Sequence, residues 1–299
     1  MDLGTVSDLV VVRDRAELAA AGFGAGDAYL AGGSWVFSEP QIGTTRLIDL
    51  TGLDWPSLTT SEAGLEIAAT CTLAEIATLA PTPTWPALAL AHQCCDALRG
   101  SFKIWNVSTV GGNLCCALPA APMTSLTAAL DGTCLIWTSA GGEREVAVVD
   151  LVTGDGQTSL EPGEVVRSVS IPARALATKT AFRQASLTHL GRSAALLIGR
   201  LDPVDGAFVL TVTAATSRPV QVAFASIPTP AELTDALAAR LPSQADIFDD
   251  VHGSPAWRRQ LTGLLAQEIR DELAAAEPGF VGNGKASDPD GPARHEASA

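Results

Sequence analysis

Two glycine pairs with hydroxyl and amide neighbours are the residues of this chain best suited to hold a ligand: Leu30-Ala31-Gly32-Gly33-Ser34-Trp35 and Ser108-Thr109-Val110-Gly111-Gly112-Asn113. Consecutive glycines remove side-chain bulk, so the backbone can approach a ligand closely and turn its N–H groups toward anionic oxygens. Ser34, Thr109 and Asn113 would add side-chain hydrogen bonds. Each segment alone reads first as a tight turn packed in a core, because glycine pairs are ordinary turn signals. Together, with a stretch of mononucleotide-binding size between them, they suggest a large ligand whose diphosphate is gripped from both sides.

The other chemistry-bearing residues form no comparable pattern. Six cysteines (Cys71, Cys94, Cys95, Cys115, Cys116, Cys134) show no C-x2-C spacing, and two adjacent pairs chelate one metal poorly, so they read as small buried hydrophobes. The four histidines are isolated from one another. A net charge of −14, from 33 acidic and 19 basic residues, argues against nucleic acid and acidic membranes as partners. No apolar run approaches the ~20 residues that span a bilayer. The first residues lack a basic region followed by a long apolar one, so the expected location is the cytoplasm.

The elements that must position the glycine pairs can be read from the pattern. Asp14 to Ala21 reads as a helix, and Ala28–Leu30 and Arg46–Leu50 as strands flanking the first pair. Leu65–Ala68 alternates as a half-buried strand, and Thr72 with Glu75 has capping-box spacing for a helix start. Trp85 to Leu98 reads as a helix. Strands follow at Thr133–Trp137, Glu143–Val149 and Val165–Ile171, close enough together for an antiparallel sheet. A further antiparallel sheet is expected from Thr180–Ala185, Ala194–Leu201, Phe208–Val212 and Val220–Phe224. Two helices close the pattern, starting at Thr229-Pro230 and Ser254-Pro255. The fold class is α+β. The glycine spacing is not G-x-G-x-x-G, and no helix of the right pattern is expected after either pair, so a Rossmann unit is excluded. The expected division is 1–56, 57–175 and 176–277, with 278–299 as a disordered tail rich in Gly, Asp, Pro, Ala and Ser.

These segments, taken in order, resemble the FAD-binding (medium) subunits of the molybdenum hydroxylases, the group of xanthine dehydrogenase and carbon monoxide dehydrogenase. Leu30 to Ser34 is similar to the family's first flavin loop, and Ser108 to Asn113 with Ala117-Leu118-Pro119-Ala120-Ala121 to its second. The likeness continues at Leu160 to Val166, Ala181 to Ser186 and Ser254 to Arg259, covering about residues 25 to 275. The resemblance implies a vanillyl-alcohol-oxidase-type flavin fold, with two amino-terminal subdomains around FAD and a carboxy-terminal antiparallel sheet plus helices. It implies that residues 30–35 and 109–113 hold the diphosphate and ribityl portion of FAD. Val165 or Val166 would lie on the isoalloxazine or adenine, and Arg183 would stand near the flavin. It implies no metal or catalytic residue on this chain. Molybdopterin would sit on a large partner subunit and two [2Fe–2S] clusters on a small one, in a dimer of heterotrimers. FAD would pass electrons to NAD, oxygen or another acceptor.

The chain departs from the family pattern at three places. Pro122 stands where an acid is usual, Trp105 where an arginine often precedes the second loop, and Leu187 to Arg192 replaces a basic and acidic pattern, leaving His189 as a nearby polar group. Two competing functions follow: a scaffold subunit with a degraded flavin site, and a free-standing flavin oxidase.

Overall fold

A computed structural model describes residues 3–275; the expected tail at 278–299 lies outside the described residues. Three sheets carry the fold. The first is a parallel sheet of β1 (Asp8–Val11), β2 (Asp27–Leu30) and β3 (Arg46–Asp49), ordered β1-β3-β2, with α1 (Arg15–Ala21) crossing from β1 to β2. Asp14 starts α1 by accepting from the Glu17 amide at 2.8 Å. Residues 31–45 cross from β2 to β3 without regular structure. The first glycine pair therefore sits beyond the carboxyl end of a parallel strand, where open sheets of this kind hold ligands.

The second sheet has the order β4-β5-β10-β6-β7 and is antiparallel: β4 (Leu58–Ser61), β5 (Gly64–Ala68), β6 (Thr133–Trp137), β7 (Glu143–Ala147) and β10 (Val165–Pro172). A small ribbon of β8 (Val152–Gly154) and β9 (Gln157–Thr158) precedes β10. Between β5 and β6 lie α2 (Leu73–Ala77), α3 (Ala89–Ala97), α4 (Phe102–Trp105), α5 (Val110–Cys116) and α6 (Pro122–Ala129). The Thr72–Glu75 capping box forms as expected, with Ser57 Oγ donating to the same carboxylate at 2.6 Å. The helix expected over Trp85–Leu98 opens as a tighter turn at Pro86–Leu88 before α3 begins. The strand expected to reach Val149 ends at Ala147, where the chain turns into α7 (Val148–Leu151).

After the short α8 (Ala173–Leu176), a four-stranded antiparallel meander forms from β11 (Lys179–Ala185), β12 (Ala195–Leu201), β13 (Phe208–Thr213) and β14 (Val220–Phe224). Two helices, α9 (Pro230–Arg240) and α10 (Pro255–Ala275), follow it. Strand β12 is buried on both faces. Leu196 and Ile198 join the main core with α3 and α6, whereas Leu197 and Leu201 join a second core with Leu237, Leu265, Ile269 and Leu273. All eight residues of α6 are buried, so it has no solvent face and no amphipathic signature. Its hydroxyls are largely satisfied inside: Ser125 bonds Thr213 at 2.7 Å, and Thr127 donates to the Met123 carbonyl at 2.7 Å. At the start of α10, Arg258 is 1% exposed and donates to the carbonyls of Gly253, Ala194 and Ala214 and to Asp250.

Candidate functional site

The two glycine segments meet. Gly32 lies against the backbone just ahead of the second segment: a Cβ there would fall 1.5 Å from the Val107 carbonyl oxygen. Beside this contact, Ser108 Oγ donates to Ser34 Oγ at 2.9 Å. Gly33 takes φ +69°, a left-handed conformation suited to glycine, and a Cβ there would meet the Phe37 ring at 2.4 Å. Among the described residues, none accepts a hydrogen bond from the amides of Gly32, Gly33, Ser34 or Trp35. Consecutive unengaged N–H groups of this kind form an anion-binding concavity. Leu30, 8% exposed, anchors the loop in the sheet by accepting from the Leu50 amide at 2.8 Å, while Trp35 is exposed.

The second segment is built differently, and here two expectations are corrected. First, a helix does follow: Thr109 caps α5 by accepting from the Gly112 amide at 3.1 Å, so the glycine pair forms the helix's first turn. Second, its amides are occupied by protein. Val110 donates to the Cys71 carbonyl at 2.9 Å, Gly111 to Ala69 at 2.8 Å, and Asn113 to Thr109 at 2.9 Å. Gly111 is needed because a Cβ there would sit 2.5 Å from that of Ala69. Val110 and Gly111 are buried and present neither side chain nor free donor to a ligand. What remains is side-chain chemistry from Thr109 and Asn113, together with the close approach that Gly112 permits. Asn113 Oδ1 accepts from the Met123 amide at 2.9 Å, capping α6, whose preceding Ala121 offers no side-chain cap. That leaves the Asn113 NH2 group as its free donor.

The remaining candidates are not brought to this place. Val165 and Val166 are each 3% exposed. Val165 packs with Val12, Ile48 and Leu53, and Val166 in the main core, because β10 is a central strand covered on both sides. Their side chains belong to the protein interior. Arg183 faces α10, where Glu268 (2.9 Å) and Glu272 (2.7 Å) hold its guanidinium; no hydrogen bond joins it to either glycine segment. His189 is exposed between β11 and β12. Pro122 occupies the first turn of α6, where its missing N–H costs nothing, and Trp105 packs on the main core edge-on to His92.

Neighbouring residues fix the frame around the loops. Tyr29 at the end of β2 donates to the Gly163 carbonyl at 2.9 Å, tying the parallel sheet to the turn before β10. Burial and the nearby Asp27 carboxylate push its phenol up to about 12, so it stays a donor. In the same turn Glu164 accepts from Arg144 at 2.9 and 2.6 Å and from the Glu161 amide, and the Arg144 guanidinium holds its carboxyl below the ordinary range. Burial pushes the thiols of Cys71, Cys95 and Cys134 up to about 12, which leaves them inert, as expected of small core residues, whereas Cys115 is exposed and Cys116 half-buried, against the expectation that all six are buried. Among the described residues no group of His, Cys, Asp and Glu could hold a metal ion. A cleft of about 350 Å³ lies elsewhere, lined by Asp131, Arg174, Arg200 and Asp202, and its arginines are already paired with aspartates.

Residues 10–174, more than half of the chain, match the model of a protein family described as the FAD binding domain in molybdopterin dehydrogenase. The chain belongs to this family. FAD is the cofactor of this family, and the unengaged amides of Gly32 to Trp35 and the Ser34 hydroxyl have the donor chemistry that suits its diphosphate. Over 73 residues the chain is 34% identical to the glyceraldehyde dehydrogenase medium chain of Sulfolobus acidocaldarius, covering 24% of this chain and 26% of that one. It thus spans about a quarter of the length of that relative. Among solved structures, a chain of quinoline 2-oxidoreductase from Pseudomonas putida 86 superposes with a TM-score of 0.72 at 22% identity. A chain of reconstituted CO dehydrogenase from Oligotropha carboxidovorans superposes with 0.75 at 21%. Each superposition covers 91% of this chain and 98% of the other. At such identities the likeness establishes the fold, including the carboxy-terminal meander beyond residue 174. No described helix is long and apolar enough to cross a membrane.

Neither Ser108, named above only as the first residue of the second segment, nor the Val107 carbonyl was expected to touch the first loop. Ser108 stands at the edge of the glycine motif, and only the folded contact with Ser34 reveals its use.

Proposed function

We propose that this chain is the FAD-carrying electron-transfer subunit of a multi-subunit, cytoplasmic molybdenum hydroxylase. It would take electrons from the [2Fe–2S] clusters of a small partner, fed by a large molybdopterin subunit, in a dimer of heterotrimers. The acceptor would be NAD or oxygen. The observation that carries the reading is the row of unengaged amides at Gly32 to Trp35, beside the second glycine segment and inside the region that matches the family. When bound, FAD supplies one- and two-electron redox chemistry. The chain's own residues hold its diphosphate on backbone and hydroxyl donors and offer no acid–base group there.

A second reading, a scaffold subunit with a degraded flavin site, is favoured by the engaged amides of the second segment and by Pro122, which offers no acceptor. The absorption spectrum of the desalted chain, with identification of any released flavin, separates the two. Stoichiometric FAD supports electron transfer. A folded chain that neither carries flavin nor takes up added FAD supports the scaffold.

A further inference from the structure

We propose that Ser108 is a positioning residue for the flavin site, acting as a post that holds the first glycine loop in its diphosphate-binding shape through Ser34. The inference rests on the FAD reading above. Residues 31–38 are bonded mainly to themselves: the Phe37 amide donates to Gly33, and the Ser38 amide and hydroxyl donate to Trp35. Among the described residues, the Ser108–Ser34 bond of 2.9 Å is the one hydrogen bond joining this segment to the rest of the chain.

Ser108 is well placed for the task. It is 7% exposed, its amide donates to Ile104 at 2.8 Å, and its carbonyl accepts from Leu73 at 2.9 Å, so its main chain is fixed from both sides. Because Ser108 gives its proton to Ser34, the Ser34 O–H remains free to donate beside the amides of Gly32 to Trp35. One bond thus sets both the position of the loop and the direction of one of its donors.

The test is FAD titration of the full apo-chain, read by flavin fluorescence, for wild type, S108A, S34A and the double variant, with apo melting midpoints alongside. Loss of one neutral hydrogen bond predicts FAD binding about three- to ten-fold weaker in S108A, with little change in the apo midpoint. The double variant should bind no more weakly than S34A alone, since the two side chains act as one unit. Wild-type affinity in S108A, or losses that simply add, would overturn the proposal while leaving the FAD reading intact. A wild-type chain that takes up no FAD overturns both. Should S108A not fold, S34A carries the test: the apo-chain should be cleaved faster within residues 31–38 by a protease, and cleavage at the wild-type rate sinks the idea.

Discussion

Gly32→Ala is the perturbation whose effect can be worked most directly from the geometry. The added methyl would lie 1.5 Å from the Val107 carbonyl oxygen and 2.5 Å from its carbon, both backbone atoms that no side-chain rotation can clear. Reaching ordinary van der Waals separation requires the two segments to part by roughly 2 Å. The 2.9 Å Ser34–Ser108 bond would then be out of reach, and the amides of Gly32 to Trp35 would no longer face the place they face now. The loop is part-exposed and can move, so the stability loss should fall toward the low end of overpacking costs, about 1–2 kcal/mol. That corresponds to a fall of a few degrees, roughly 2–6 °C, in the melting midpoint. FAD affinity should fall further, by about tenfold or more, because the donors rather than the core are displaced. Calorimetric melting and FAD titration of the desalted protein measure both. Gly263→Ala, in α10 with nothing within 4 Å of the new methyl, is the control and should stabilise by about 0.5–1 kcal/mol. A G32A protein with wild-type midpoint and wild-type FAD affinity would show that the glycine does not serve the contact between the loops.

Three further outcomes follow from the same geometry. Glu164→Gln should cost about 1.5–3 kcal/mol at neutral pH by breaking a charged bidentate pair; because the folded carboxyl is held below its unfolded value of about 4.3, wild type loses this contribution as pH falls through the folded value, and urea unfolding should show the two proteins converging in acid. Arg183→Ala should leave FAD affinity unchanged and cost at most about 1 kcal/mol, since its partners Glu268 and Glu272 are nearly half exposed; a tenfold loss of FAD would restore the role near the flavin that the family resemblance implied. Arg258→Met should destabilise by about 3 kcal/mol or more, because it strands the carbonyls of Gly253, Ala194 and Ala214 and the charge of Asp250; thermal melting within 1 kcal/mol of wild type would refute this.

The parts of the fold legible in the sequence are those with local chemistry. The capping boxes at Thr72–Glu75 and Thr229–Glu232, and the Pro230 and Pro255 helix starts, lie where the residue types place them. The meander strands were legible because each is a short β-branched or leucine-rich run between turn residues. Helix α5 was not legible, since Gly111 and Gly112 are poor helix formers; contact with Ala69 and the Thr109 cap override propensity there. Helix α6 escaped because a segment buried on every side has no period to read. The site followed the same rule. The glycine loops were visible as motifs, but whether their amides were free depended on Cys71 and Ala69, partners some forty residues away. Val165 and Val166 entered through the family resemblance alone, which does not show how deeply the central strand β10 buries their side chains.

The burial of α6 has a consequence for how the molecule can come apart. Asn113 of α5 holds its amino end, while Thr213 and Gln221 of the meander grip its middle and its carboxyl end. A helix owned by two neighbours cannot be released by one of them alone. Cutting the chain after α8 would therefore strip one wall from the flavin-binding half and leave Met123, Leu126 and Ala128 facing water beside Leu196's former seat. Loss of the carboxy-terminal sheet and loss of flavin should accordingly arrive as a single event, with no stable half-protein left to carry the cofactor.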